Sequence, residues 1–211
     1  MLEVKCLKNH PVDSNGYVLF DHAAGNDCMV VDPGSEDNTR LYDFLESEHL
    51  HPQYIILTHE HFDHCWGVNS LRERFPHVKL VCSSMCSVFI QDMKKNHSVF
   101  YRQPGFELKP ADMELETIGW HLGFLGHNMV FYPAQGHTAS GVIGRIGKFL
   151  FTGDELLKGA KTVTKLKAGS EDKLRDSMRL LESLKGQGLM VHPGHGDVFM
   201  LDEYDLNLMF F

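Results

Sequence analysis

The chain is short of cysteine, of positive charge and of long apolar runs, and each shortage excludes something. Its five cysteines (Cys6, Cys28, Cys65, Cys82, Cys86) are odd in number and include no C-x-x-C pair. Neither a disulfide framework nor a cysteine zinc cluster is therefore expected. Twenty Lys and Arg against 28 Asp and Glu leave a formal net charge of -8, which disfavours a nucleic-acid partner. No uninterrupted apolar run approaches the length of a membrane span. The opening Met1-Leu2-Glu3-Val4-Lys5 has no basic segment followed by an apolar one, so no signal peptide is visible. These readings predict a soluble cytoplasmic protein without a membrane partner. Repeats, low-complexity tracts and linkers are also missing, so residues 1–211 are read as a single domain.

What is present is ordinary globular material, 43% hydrophobic and 23% charged, enough for a real core. Strand-like runs are expected at residues 2–7, 17–20, 29–31, 54–57 and 78–82, and again at 129–132, 142–146, 148–152 and 189–192. Helical spacing marks residues 37–50, the Val68-Leu71-Phe75 series, residues 84–96, residues 171–184 and a short piece at 202–211. Residues 97–128 mix Gly, Pro and aromatics and are read as hairpins and loops over a site. Residues 119–132 are read as a turn leading into a strand. Strand groups bounded by helices occur twice. That order predicts an α/β architecture of two sheets packed face to face with helices outside.

The chemistry is concentrated in "THEHFDH" at 58–64, where His59, His61, Asp63 and His64 crowd together directly after an apolar strand. Side chains at i and i+2 of an extended segment share a face, so His59 and His61 can grip one cation. A turn into a helix would send Asp63 and His64 off at another angle, toward a second. Imidazole nitrogens and carboxylates are zinc ligand types. In a chain of this composition the pattern H-x-H-x-D-H is expected roughly 0.004 times by chance. A zincin protease is excluded, because the second His of H-E-x-x-H would fall where Asp63 stands.

With "GHT" (136–138), "TGD" (152–154) and "PGHG" (193–196) following in order, and "VVDPGS" (30–35) before, the chain resembles the metallo-β-lactamase superfamily. The likeness is specifically to its glyoxalase II-like (hydroxyacylglutathione hydrolase-like) thioester hydrolases. The resemblance covers nearly the whole chain and implies a four-layer αββα sandwich with two mixed sheets. It also implies two Zn²⁺, with iron or manganese as alternatives at one or both positions. His59, His61 and His137 would hold the first metal; Asp63, His64 and His195 the second; Asp154 would bridge them. Asp63 is additionally expected to be catalytic, orienting the attacking hydroxide. Two zinc ions, two carboxylates and a hydroxide sum to about +1, which suits an oxyanion.

Neighbouring residues receive weaker readings. His192 competes with His195, but the Pro-Gly-His-Gly setting favours His195 and leaves His192 to packing or support. Asp32, ending a strand before Pro33, either orients a metal-bound His or forms a turn. The eight remaining histidines, His97 among them, lack a ligand pattern, and Cys65 is given no catalytic role. Lys158, Lys161, Lys165 and Lys167 form a basic cluster that is either a solvated loop or a contact for an anionic substrate.

His61 stands where the diiron oxygen reductases of the superfamily carry an acidic residue, which favours hydrolysis over redox chemistry. The expected function is a zinc-dependent hydrolase cleaving a small thioester or ester through a metal-bound hydroxide. The expected partner is a small-molecule acyl substrate. Full-length glyoxalase II enzymes add a C-terminal helical domain for the glutathione moiety that this chain does not show, so a lactone is an alternative substrate. A mononuclear iron persulfide dioxygenase and a non-catalytic binder are the rivals from other classes.

Overall fold

Short β-branched and aromatic runs separated by turn residues become strands, arranged in two mixed sheets of six strands each. The structure is a computed structural model and describes residues 1–115, 120–165 and 168–209. Two compact units divide the chain, Met1–Leu115 and Glu116–Phe211, with one sheet in each.

In the first unit the sheet runs β1 (Glu3–Lys8), β2 (Asn15–Phe20), β3 (Asp27–Val31), β4 (His51–Ile56), β5 (Lys79–Ser83) and β6 (Met113–Leu115). The first three strands are antiparallel neighbours, whereas β3, β4, β5 and β6 run parallel. Parallel strands need crossovers, and helices α1 (Thr39–Ser47), α2 (Phe62–Cys65), α3 (Val68–Arg74), α4 (Ser84–Phe89) and α5 (Ser98–Tyr101) lie in them. Alternation then sorts the side chains. Val18, Phe20, Cys28 and Val30 share one core with Leu41 and Leu45 of α1 and with Val68 and Leu71 of α3. Tyr17, Leu19, Met29 and Val31, on the other face, are equally buried.

The second unit orders its strands β12-β11-β10-β9-β8-β7. In chain order they are β7 (His121–Phe124), β8 (His127–Pro133), β9 (Val142–Ile146), β10 (Phe149–Gly153), β11 (Met190–Pro193) and β12 (Phe199–Met200). Among its described residues only β10 and β11 pair in parallel. Their connection carries α6 (Glu171–Ser183), capped by the Ser170 hydroxyl accepting from Lys173 N. Leu174, Met178 and Leu181 recur along α6 on one face and pack with Ile143, Leu150 and Val191. No helix among the described residues is long and apolar enough to cross a membrane.

Most expected elements are present, with instructive differences. The helix expected over 84–96 stops at Phe89, because the Asp92 carboxylate accepts from Lys94 N and Lys95 N and makes a local turn instead. The turn expected ahead of the 129–132 strand is a hairpin of β7 and β8. Leu125 and Gly126 adopt φ of 48° and 76° at its tip, the left-handed pair that suits a tight hairpin; Gly119 lies outside the described residues. The short strands β6 and β12 were not expected. At the end, two 3-10 turns, Leu201–Glu203 and Leu206–Met209, replace the expected helix, and residues 210–211 lie outside the description.

Candidate metal centre

In the first unit, Asp32 follows β3 and His59 follows β4. These strands run parallel with Val31 opposite Ile56, so both residues leave the sheet at its carboxyl edge. That edge is where open α/β sheets usually carry their sites. Asp32, at φ 50°, is held left-handed and turns its carboxylate back on the loop. Oδ1 accepts from Thr58 N at 2.8 Å, and Oδ2 accepts from Thr58 Oγ1 at 2.6 Å and from His64 Nδ1 at 3.1 Å. With its proton on Asp32, the Thr58 hydroxyl can accept from His59 Nδ1 at 3.0 Å. The network thus places the Nδ1 proton of both His59 and His64, and Nε2 carries the lone pair that a cation needs. Asp32 lies close enough to both histidines to count as a ligand itself. Its Oδ2 orients the His64 ring and, through the Thr58 hydroxyl, bears on His59, the contact expected of an orienting carboxylate.

The other members of the loop follow. His59 packs against His61 at a ring-centroid distance of 4.7 Å and against His64 at 4.3 Å. The Asp63 carboxylate lies 3.6 Å from His64 Nε2. Behind the loop, Ser14 Oγ donates to Asp63 O at 2.5 Å, and a Cβ on Gly34 would come within 1.6 Å of that same oxygen. Only glycine fits there. Cys65 is fully buried, donates to Glu60 O at 3.2 Å, and has its thiol pushed well up by burial. That agrees with the inert role expected of it.

The second unit brings three candidates to one edge of its sheet. Strands β8, β10 and β11 point the same way, and His137, Asp154 and His195 follow their respective ends. Gly153, at φ 50°, redirects the chain just before Asp154. Asp154 Oδ2 lies 3.7 Å from His137 Nε2 and 3.5 Å from His195 Nε2. His137 donates Nδ1–H to the Val163 carbonyl at 2.8 Å, again leaving Nε2 as the acceptor.

Sequence reasoning missed Glu155. It is buried, and its carboxylate receives Gly136 N at 2.9 Å and His137 N at 2.9 Å, fastening the turn that carries His137. Burial raises its pKa, while hydrogen bonds from Ser177, His137 and Gly136 oppose the rise. Its position directly after Asp154 was the only available signal. His97 was missed as well: its ring stacks on His61 at 4.5 Å and 23°.

His192 is no rival to His195. It is buried, lies against the Phe149 and Phe151 rings, and is pushed down to about 4 by desolvation. Lys158, Lys161 and Lys165 are exposed, and Lys167 lies outside the described residues.

The donor set fits divalent metals. Nitrogen and oxygen donors each about 2.0–2.1 Å from one tetrahedral zinc sit roughly 3.3 Å apart. The three carboxylate–imidazole distances of 3.5, 3.6 and 3.7 Å are near that spacing and beyond an ordinary hydrogen bond.

Residues 11–195 match the family model described as the metallo-beta-lactamase superfamily, a stretch that includes every candidate ligand. The chain belongs to the metallo-β-lactamase superfamily. It is 26% identical over 199 residues to "Probable metallo-hydrolase YqgX" of Bacillus subtilis, covering 93% of this chain and 92% of that one. A hydroxyacylglutathione hydrolase of Klebsiella pneumoniae is 24% identical over 180 residues; the match covers 85% of this chain but 62% of the relative. Among solved structures, the BLEG-1 B3 metallo-β-lactamase is similar at a TM-score of 0.88 and 26% identity, over 99% of this chain and 100% of that one. The fold is thus the superfamily's α/β sandwich, and the chain carries the His and Asp equipment of its metallohydrolases.

Proposed function

We propose that the two ligand sets act as one dinuclear centre that hydrolyses a small thioester or ester, in the manner of glyoxalase II. His59, His61 and His137 would take one metal, Asp63, His64 and His195 the other, with Asp154 shared. Zinc is the proposed occupant, with iron or manganese as alternatives. One observation carries this reading. In both units a carboxylate faces imidazole Nε2 atoms at 3.5–3.7 Å, and the Nδ1 protons of His64 and His137 are taken by neighbouring acceptors.

When bound, divalent metals polarise an acyl carbonyl and acidify water. The protein's share is positioning. Asp63 would align the attacking oxygen, and Asp154 would hold His137 and His195 to a common geometry. Asp32 and Glu155 prevent the ligand loops from drifting, which matters because small misplacements cost large factors in rate. The proposed partner is a small acyl compound, in keeping with a net charge of -8 and with no described helix able to span a membrane.

The test is a screen of thioesters, esters and lactones with zinc-loaded and chelator-treated protein, alongside Asp63→Ala. Asp63→Ala should lower kcat/KM by about 100-fold or more with the circular dichroism spectrum retained. Turnover near the unmutated rate would remove Asp63 from the mechanism. Oxygen uptake with a persulfide and no hydrolysis of any acyl compound would replace the hydrolase reading.

A further inference from the structure

Next to the histidine loop, a short segment presents aromatic rings to solvent from a backbone that is firmly held. Asn96 and Ser98 are buried and fasten it. Asn96 Nδ2 donates to Phe106 O at 2.8 Å, Asn96 Oδ1 accepts from Ser98 N at 2.9 Å, and Ser98 Oγ accepts from Phe106 N at 2.9 Å. Asn96 O accepts from Phe62 N at 2.8 Å, which ties the segment to the ligand loop itself. Between those anchors, His97 stands at φ 66°, a conformation unusual for a non-glycine residue and concentrated at functional sites.

The rings form a graded series. His61 is buried, and His97 stacks on it at 4.5 Å while half-buried. Phe100 meets His97 edge-on at 6.1 Å and is 75% exposed. Beside them Tyr101, 48% exposed, stacks on Phe62 at 4.7 Å. A phenyl ring this exposed contributes little to the core, yet its backbone is pinned and its neighbouring ring touches a ligand candidate. Occupation by an apolar group would bury that ring surface, because edge and offset contacts between rings are favourable and remove apolar surface from water.

We infer that His97 and Phe100 form the wall of an acyl-group subsite that selects aryl or bulky apolar acyl groups over acetyl. The inference rests on the reading of His61 as a ligand in a hydrolytic centre. Since His97 lies directly on His61, an apolar group held against it would sit beside the proposed centre, and the inference assigns the acyl group to that place.

The probes are phenylacetate and acetate, carboxylates that resemble the acyl product, titrated calorimetrically into zinc-supplemented full-length protein. Phenylacetate should bind at least about tenfold more tightly than acetate. Phe100→Ala should shrink that ratio below about threefold, Phe100→Leu should leave an intermediate value, and acetate affinity should change by less than about twofold. Phe100 is exposed, so all variants should fold, and circular dichroism checks it. An unchanged ratio in Phe100→Ala, or a wild-type ratio near one, overturns the subsite. Discrimination that survives without any acyl hydrolysis would leave the subsite standing and sink the hydrolase reading. Hydrolysis with no dependence on Phe100 would do the opposite.

Discussion

The two units assemble their candidate ligands by different routes. The first places four candidates within six residues and holds them through side chains, with Asp32 and Thr58 gripping the imidazoles of His59 and His64. The second collects His137, Asp154 and His195 from three strand ends, and around His137 its supports engage main-chain groups. The Val163 carbonyl orients the His137 ring, and Glu155 binds two main-chain N–H groups around it. A contiguous motif needs one dedicated anchor. A dispersed set relies on the sheet itself to bring its members to one edge.

The contrast yields graded expectations. The largest effect should come from Gly34→Ala, since its Cβ would collide with the Asp63 main chain at 1.6 Å and neither backbone can yield cheaply. A loss on the order of 3 kcal/mol or more is expected, a fall in Tm of roughly 10 °C. A melt within about 2 °C of wild type would show the loop to be looser than described.

Next comes Asp32→Asn, which weakens the acceptor for His64 Nδ1 and the Thr58 relay to His59. Zinc affinity, measured by competition with a chromophoric chelator, should fall by about 10–100-fold. Glu155→Gln keeps an acceptor for the main chain and touches no ring, so a loss of about tenfold or less is expected. Equal losses in the two variants would erase the distinction drawn between side-chain and backbone support.

His192 gives the most selective effect, one confined to acid pH, because it is buried in the second unit against the Phe149 and Phe151 rings. Its folded pKa is pushed down to about 4 from an ordinary 6.5. The unfolded chain therefore binds the extra proton first. The stabilisation is fully present above about pH 6.5 and is lost as pH falls toward 4, by roughly 3 kcal/mol across the window. His192→Leu should flatten stability against pH there relative to wild type. Parallel curves would mean that His192 does not stay neutral in the fold.

The same contrast explains what was legible. His59, His61, Asp63 and His64 could be read because the spacing of one loop carries their geometry. His137, Asp154 and His195 were named through resemblance, since a lone His between Gly136 and Thr138 has no local signature. Glu155 and His97 were invisible, because each acts through a contact that only the folded chain creates. In the fold, long alternating runs were readable. The three-residue β6 and two-residue β12 were not, because so few residues carry no period and exist only by pairing with β5 and β11. The shortened α4 failed for another reason: the Asp92 turn competes locally with helix continuation.

The central claim is that two differently built ligand sets serve one dinuclear centre. Metal content tests it most directly, by elemental analysis of protein purified without chelator and then supplemented with zinc. The account predicts about two equivalents per chain, because seven ligand candidates exceed what one tetrahedral zinc can use. A chain that holds about one equivalent and takes up no more when zinc is added would contradict it.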